Sequence, residues 1–444
     1  MRFRSSKAAT ALVVLALAGG AVAPASAAPR PPADGVWRVE GYGTVLSVAD
    51  GRLQEYQTTA VSCIKGAAAR RTAEGAYRTD DGTVLTIRPS GSLHVAGSAG
   101  DRELRRLAGL PAACGRSTSD DPVTTFDVFW QSFEENYPFF AAKGIDWHAR
   151  RDLYRAKVHA GTTRDELFSL FSDMVAPLYD AHVAVIDGDR RFAQVRPGTP
   201  AIGETLDDRV KDHILRYDLD GKSPTEFANG RIGYADLPGG LGYLRISGFA
   251  GYDAQDSSYA AQLAELDRAL DTVLTVERTA ALKGLIIDLR INGGGSDALG
   301  LRLAGRLSDT PYTAYRKRTR YTHPQPVRVQ PDAHAPRYGG PVAVLTASTT
   351  FSAGETFTQA LMDRPGRTVR IGEATQGVFS DVMERALPNG MKVRLPNEEF
   401  LTRSGRTFDG DGILPHLRTP VFTEEEFAKH RDSAFDTAVA ELRE

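Results

Sequence analysis

The clearest periodicity along the chain is helical. Phe126, Phe129, Trp130, Phe133 and Tyr137 fall at i, i+3, i+4, i+7 and i+11, the spacing of one buried helix face. Thr163 and Glu166 stand at capping-box spacing just before a stripe of Leu167, Leu170, Phe171, Met174, Val175 and Leu178. Both stripes predict helices packed into a core and not a cofactor box. Upstream, from about Gly35 to Cys114, short β-prone runs at 37–40, 44–48, 83–88 and 92–95 are broken by Asp50-Gly51, Asp80-Asp81-Gly82 and Ser90-Gly91. That punctuation predicts a small β-rich module. From about Gly233 onward, strands alternate with helices, the signature of an α/β layer structure. Leu241 to Ile246 reads as a strand and Tyr259 to Val273 as an amphipathic helix. Residues 285–289 and 342–345 are continuous apolar runs, as in strands covered on both faces. Residues 369–371 add another strand, and 383–395 read as a hairpin turning at Asn389-Gly390.

The first residues change the picture. Arg2, Arg4 and Lys7 precede an apolar run from Ala8 to about Ala23, followed by Ala25-Ser26-Ala27 and a Pro-rich stretch. This is the pattern of a cleaved secretory signal peptide. The competing reading, an uncleaved anchor, wants about 20 apolar residues, and the run is interrupted by Gly19, Gly20 and Pro24. The predicted organisation is a signal peptide (1–27), a β-rich module (28–118), a helical subdomain (119–190), a connecting segment (191–232) and an α/β core (233–444). Export predicts a secreted, extracellular protein with no membrane attachment after cleavage. An oxidising exterior also favours a bridge between Cys63 and Cys114 over two buried thiols. In a chain-entropy picture a loop of that size is worth roughly 4 kcal/mol.

Composition then excludes classes. The 444 residues carry 54 Lys plus Arg against 56 Asp plus Glu, leaving no basic excess to grip a nucleic-acid backbone. Two cysteines are too few for a four-thiolate zinc site. No metal and no cofactor is expected.

Three junctions between elements carry chemistry. Asn292-Gly293-Gly294-Gly295 directly follows a strand ending Asp288-Leu289-Arg290. Its glycines can turn sharply and present free N–H groups to an oxyanion, although a tight strand-to-helix turn needs the same residues. Neither a dinucleotide fingerprint nor a P-loop fits the spacing. Phe351-Ser352-Ala353-Gly354-Glu355 ends a strand and opens a helix, placing the Ser352 hydroxyl at a helix N-terminus. Ser352 and Glu355 also have capping-box spacing, and Ser348 is a substitute nucleophile four residues upstream. In Leu178-Tyr179-Asp180-Ala181-His182, His182 is a candidate general base or a structural histidine.

At these residues the chain resembles a known family. Asp288-Leu289-Arg290-Ile291-Asn292-Gly293-Gly294-Gly295 is similar to the signature of the serine peptidases that include the C-terminal processing (tail-specific) proteases, the tricorn core protease and interphotoreceptor retinoid-binding protein. Ser352-Ala353-Gly354-Glu355, Gly372-Glu373-Ala374-Thr375, Leu387-Pro388-Asn389-Gly390 and Gly412-Ile413-Leu414-Pro415 follow in that family's order. The resemblance spans about Phe126 to Pro420 and implies a crotonase-like α/β catalytic core with Ser352 as nucleophile. The processing-protease branch uses a Ser-Lys dyad, but Val378 stands at the lysine position. The tricorn-like branch uses a histidine and an acidic residue, matched here by His182 and Asp409, with Asp411 as the rival acid and Ala181 replacing an auxiliary serine. His416 replaces the family's last acidic residue. The implied oxyanion hole is the backbone N–H of Gly294 or a neighbouring glycine together with that of Ala353. Between His182 and Leu241 the chain is too short for the PDZ domain of the tail-specific branch. The implied activity is hydrolysis of peptide or protein substrates through an acyl-enzyme. A non-catalytic binder of an apolar ligand and an esterase are the alternatives on the same fold.

Overall fold

The computed structural model describes residues 33–201 and 203–443. The signal peptide expected at 1–27 lies outside them. No helix of the described residues is long and apolar enough to cross a membrane.

The N-terminal module is a closed eight-stranded barrel. Its strands are β1 (Gly35–Val39), β2 (Thr44–Ala49), β3 (Arg52–Thr58), β4 (Cys63–Ala73), β5 (Ala76–Thr79), β6 (Val84–Arg88), β7 (Ser92–Val95) and β8 (Arg102–Leu107). Each pairs antiparallel with the next, and β8 closes on β1, which leaves no free sheet edge. Trp37, Leu46, Leu53 and Tyr77 fill the interior. Four of these strands were expected; the other four bury only one or two residues each. A disulfide joins Cys63 to Cys114, tying β4 to the turn Ala112–Gly115.

Three helices follow: α1 (Pro122–Asn136), α2 (Trp147–Arg155) and α3 (Arg164–Val175). Asp121 caps α1 by accepting from the N–H groups of Val123 and Thr124, with Pro122 in the first helical position. The Thr163–Glu166 capping box starts α3 as expected. Their aromatic stripes meet, with Phe129 stacked on Phe171 at 4.0 Å between centroids. Next come strands β9 (Ala184–Asp187) and β10 (Arg190–Ala193), helix α4 (Glu204–His213) and the short strand β11 (Thr225–Phe227).

The core alternates strands and helices: β12 (Ile232–Leu237), β13 (Leu241–Ile246), α5 (Tyr259–Val273), α6 (Val276–Ala281), β14 (Gly284–Asp288), α7 (Asp297–Arg306), β15 (Tyr312–Thr319), β16 (Gln325–Val329), β17 (Val342–Thr346), α8 (Ala353–Ala360) and β18 (Thr368–Gly372). The hairpin β19 (Val382–Ala386) and β20 (Lys392–Pro396) follows, then β21 (Glu398–Leu401), β22 (Leu417–Arg418), α9 (Glu424–Ala428) and α10 (Ser433–Arg443). The main sheet has the order β11-β12-β13-β14-β17-β18-β22 and is parallel from β13 to β22. Alternate residues face opposite sides: Leu244, Ile287 and Val344 pack under α5, α7 and α8, while Tyr243, Ile286 and Leu345 pack against α10. Burial on both faces explains the unbroken apolar runs in these strands.

The hairpin turns at Asn389-Gly390 as expected, but its outer partner is β9, some 200 residues upstream by chain position. Val393 and Leu395 therefore share one apolar cluster with α1 and α3. The helical region and the hairpin form one packed body, so the boundary expected at 233 does not separate two cores.

Candidate active site

The parallel strands β13, β14, β17 and β18 end on one side of the sheet, where ligand sites of parallel α/β sheets form. The Asp288-Leu289-Arg290 run closes β14 from inside. Arg290 is fully buried and pairs with Asp288 at 2.7 Å and Asp432 at 2.6 Å. Burial alone would raise the Asp288 carboxyl, but Arg290 outweighs it and holds the group below its ordinary value. These buried charges clamp the sheet to the start of α10.

Asn292 latches the two chemistry-bearing loops together. Its Nδ2 donates to Ile246 O at 2.9 Å, its Oδ1 accepts from the Gly294 N–H at 2.9 Å, and its carbonyl accepts from the Phe351 N–H at 2.9 Å. Gly294 has φ +91°, and a Cβ there would lie 2.7 Å from Ser352 Cβ and 3.2 Å from Ala353 N. Only glycine lets the turn approach the serine so closely. The turn and the serine loop, predicted separately, are thus in contact. The Gly294 N–H is engaged by Asn292, whereas Ala353 is the first residue of α8, where N–H groups lack intrahelical acceptors.

Ser352 sits at φ +48°, ψ −116°, a strained conformation for a non-glycine residue. It is half-buried, while all of Ala353–Ala360 is buried. Its N–H donates to Glu355 Oε2 at 3.1 Å. Glu355, read from sequence as a cap, also accepts from the Gly377 N–H at 2.6 Å and the Val378 N–H at 2.9 Å. Burial pushes its carboxyl up to about 7, against the pull of Thr375 and these three N–H groups. Ser348 lies in the loop before Ser352, its carbonyl accepting from Gln376 Nε2 at 2.7 Å.

His182 follows a turn in which Tyr179 has φ +44°. Asp180 fixes that turn: Oδ1 accepts from the His182 N–H at 3.0 Å and Oδ2 from the Tyr137 hydroxyl at 2.9 Å. His182 Nδ1 lies 3.2 Å from the Phe379 carbonyl oxygen. A carbonyl can only accept, so Nδ1 carries the proton and Nε2 keeps its lone pair. Burial lowers the imidazole pKa, outweighing Asp180 and the Phe379 carbonyl.

The contact expected between Asp409 and the imidazole is not made. Asp409 Oδ2 instead accepts from the Phe379 N–H at 3.3 Å, and Lys143 Nζ stands 3.6 Å from its Oδ1. The reason is a pinned loop. The Gly410 N–H donates to Gly377 O at 2.8 Å, Ile413 N–H to Thr375 Oγ1 at 2.7 Å, and a Cβ on Gly412 would meet Thr375 O at 2.1 Å. Burial, then Asp180, push the Asp409 carboxyl well above its ordinary value, and Lys143 only partly offsets them. Asp411, the rival acid, is exposed, its carbonyl accepting from Arg196 Nη1 at 2.9 Å. His416 pairs with the Arg370 backbone. Val378 is buried. Among the described residues no cluster of His, Cys, Asp or Glu is placed to hold a metal ion.

Sequence reasoning missed the brace at Glu355 and the grouping of buried Tyr137 and Asp180 with half-buried Lys143. Asp180 could have been found from its place two residues before His182. Tyr137 was hidden inside an apolar stripe, and nothing in the sequence marks Lys143.

Residues 240–419 match peptidase family S41, and residues 121–176 match the tricorn protease C1 domain. A putative peptidase from Parabacteroides merdae superposes with a TM-score of 0.59 at 24% identity, covering 73% of this chain and 97% of that one. The structure of mature CPAF gives a TM-score of 0.53 at 13% identity, covering 73% and 96%.

Proposed function

We propose that this chain, a serine peptidase of family S41, is exported and hydrolyses peptide bonds through an acyl-enzyme on Ser352, with His182 as the base. One observation carries the reading. Ser352 and His182 are both fastened to the segment Gly377 to Phe379, the serine through the Glu355 carboxylate and the imidazole through the Phe379 carbonyl. In the first step His182 Nε2 takes the Ser352 Oγ proton as Oγ bonds to the substrate carbonyl carbon. In the collapse that proton passes to the leaving amine, and water then reverses the sequence. The tetrahedral oxyanion is met by the Ala353 N–H and by an N–H of the Gly293 to Gly295 turn. The Phe379 carbonyl selects the imidazole tautomer, and Asp409 acts one step removed by orienting the Phe379 peptide.

A crotonase-like layering of the core is supported by the parallel sheet with helices on both faces. Export is supported by the signal-peptide pattern and fits the Cys63–Cys114 disulfide. The experiment is labelling with a fluorophosphonate: Ser352 should be modified, and Ser352→Ala should abolish labelling and peptide cleavage together. Labelling that persists in the alanine variant would reject the assignment.

A further inference from the structure

We infer that the N-terminal barrel supplies one wall of a substrate pocket beside the glycine turn, and that this pocket takes a large apolar side chain of the peptide being cleaved. The inference rests on the peptidase reading above and deepens it.

A cavity of about 510 Å³ opens where the barrel meets the core, a size that holds a bulky side chain. Val84 and Ala96 line it from the barrel, Phe249, Tyr259 and Leu299 from the core, and Gly295 reaches it from the turn. Phe249 lies alongside that turn: its N–H donates to Gly294 O at 2.7 Å and its carbonyl accepts from the Ser296 N–H at 2.9 Å. Gly294, the next residue of the turn, packs against Ser352, so the cavity and the serine flank neighbouring residues of one turn. Extended peptide advances about 3.3 Å per residue, which brings a side chain within a residue or two of the scissile bond to the cavity.

The walls are fixed before substrate arrives. Ser296 Oγ donates to Gly97 O at 2.6 Å, fastening the loop after β7 to the start of α7. The core side is held by buried Gln262, whose Oε1 accepts from the Tyr252 N–H at 2.6 Å and whose Nε2 donates to Asp256 O at 2.7 Å. The barrel is therefore part of the substrate site and not a spacer. The side chains of Val84, Ala96, Phe249, Tyr259 and Leu299 give the wall an apolar stretch, and an apolar side chain gains by covering it, while Arg78, Asp81 and Asp253 also line the cavity.

The test is digestion of a peptide library by the full chain, read by mass spectrometry, followed by kcat/KM for paired peptides with Leu or Ala at the selected position. The wild type should prefer Leu roughly tenfold or more. Ala96→Phe, which fills the cavity, should bring the ratio near one, and Val84→Thr, nearly the same shape but polar, should reduce it. Melting temperatures confirm that the variants fold. A wild type without apolar preference at any position, or two folded variants that keep the wild-type ratio, overturns the proposal while leaving the peptidase reading intact. A wild type that takes no fluorophosphonate label and cleaves no peptide fails on that reading, and the pocket proposal falls with it.

Discussion

The backbone N–H groups of Ser352 and Val378 donate to the same atom, Glu355 Oε2, at 3.1 and 2.9 Å. Glu355 Oε1 takes the Gly377 N–H at 2.6 Å, so one buried carboxylate sets the spacing between the Ser352 loop and the segment that holds His182. Glu355→Gln keeps the shape but turns one acceptor oxygen into an NH2 group, which must then face at least one N–H. We expect kcat to fall by roughly 10²-fold from misplacement and stability to fall by about 1–3 kcal/mol. The pH dependence checks the cause. Burial raises the Glu355 carboxyl from 4.5 to about 7, so the folded state binds the extra proton in that interval. Its share of stability is undiminished below 4.5 and declines as pH rises to about 7. Denaturation across this range should show that slope in the wild type and lose it in the Gln variant.

Gly294→Ala tests the contact on the other side of the serine. The added Cβ would stand 2.7 Å from Ser352 Cβ and 3.1 Å from Phe351 O, on a residue with φ +91°. The turn or the serine has to shift. Peptide cleavage should fall roughly 10²-fold or more, and the rate of fluorophosphonate labelling at Ser352 should fall with it. Wild-type rates in a folded Ala variant would separate the turn from the chemistry.

The parts of this site that were legible in the sequence are those whose residue types are forced by local geometry. A helix face must repeat at 3.6 residues, so Phe126 to Tyr137 announced α1. A close approach needs glycine, so the turn at Gly293 to Gly295 stood out. The barrel was only half visible because β3 and β4 show no alternation of apolar and polar residues and bury little, with Leu53 and, in β4, Cys63 and Ala69 as their buried residues. The pairing of β20 with β9 was invisible, since register between distant segments is decided by packing. For the same reason the sequence could supply Asp409 as a candidate acid but not its target. Whether that carboxylate meets an imidazole or an amide depends on how Gly410 and Gly412 are pinned against Thr375 and Gly377.

His182 should set the acid limb of activity. Its pKa is lowered from 6.5 by burial, so kcat/KM, which reports the free enzyme, should rise with pH through a midpoint below 6.5 and level off above it. His182→Ala should remove the limb along with most activity. A midpoint near 7 that moves in Glu355→Gln would instead assign the limb to Glu355.

The disulfide contributes to stability outside the site. It links residues 51 positions apart, Cys63 and Cys114, which in the chain-entropy picture is worth roughly 4 kcal/mol. Reduction, or Cys63→Ala with Cys114→Ala, should lower the denaturation midpoint accordingly. Neither cysteine lines the site described above, so residual activity of the folded fraction at low temperature should persist.

Asp409 gives the sharpest quantitative contrast. A carboxylate bonded directly to a catalytic imidazole is worth about 10⁴ in kcat when replaced by its amide, because the amide selects the wrong tautomer. Here the Phe379 carbonyl, 3.2 Å from Nδ1, is placed to make that selection, and Asp409, with Lys143 at 3.6 Å, is linked to the imidazole only through the Phe379 peptide, whose N–H it accepts at 3.3 Å. Burial and Asp180 also push the Asp409 carboxyl well above its ordinary value, which reduces the negative charge available to stabilise an imidazolium. An asparagine side-chain oxygen can still accept from the Phe379 N–H. Asp409→Asn should therefore lower kcat by no more than roughly tenfold, the scale of one weakened neutral hydrogen bond, and leave the acid limb of the pH profile in place. A loss near 10⁴ with displacement of that limb would mean that Asp409 turns onto His182 when substrate binds, and that the Phe379 carbonyl holds the imidazole only at rest.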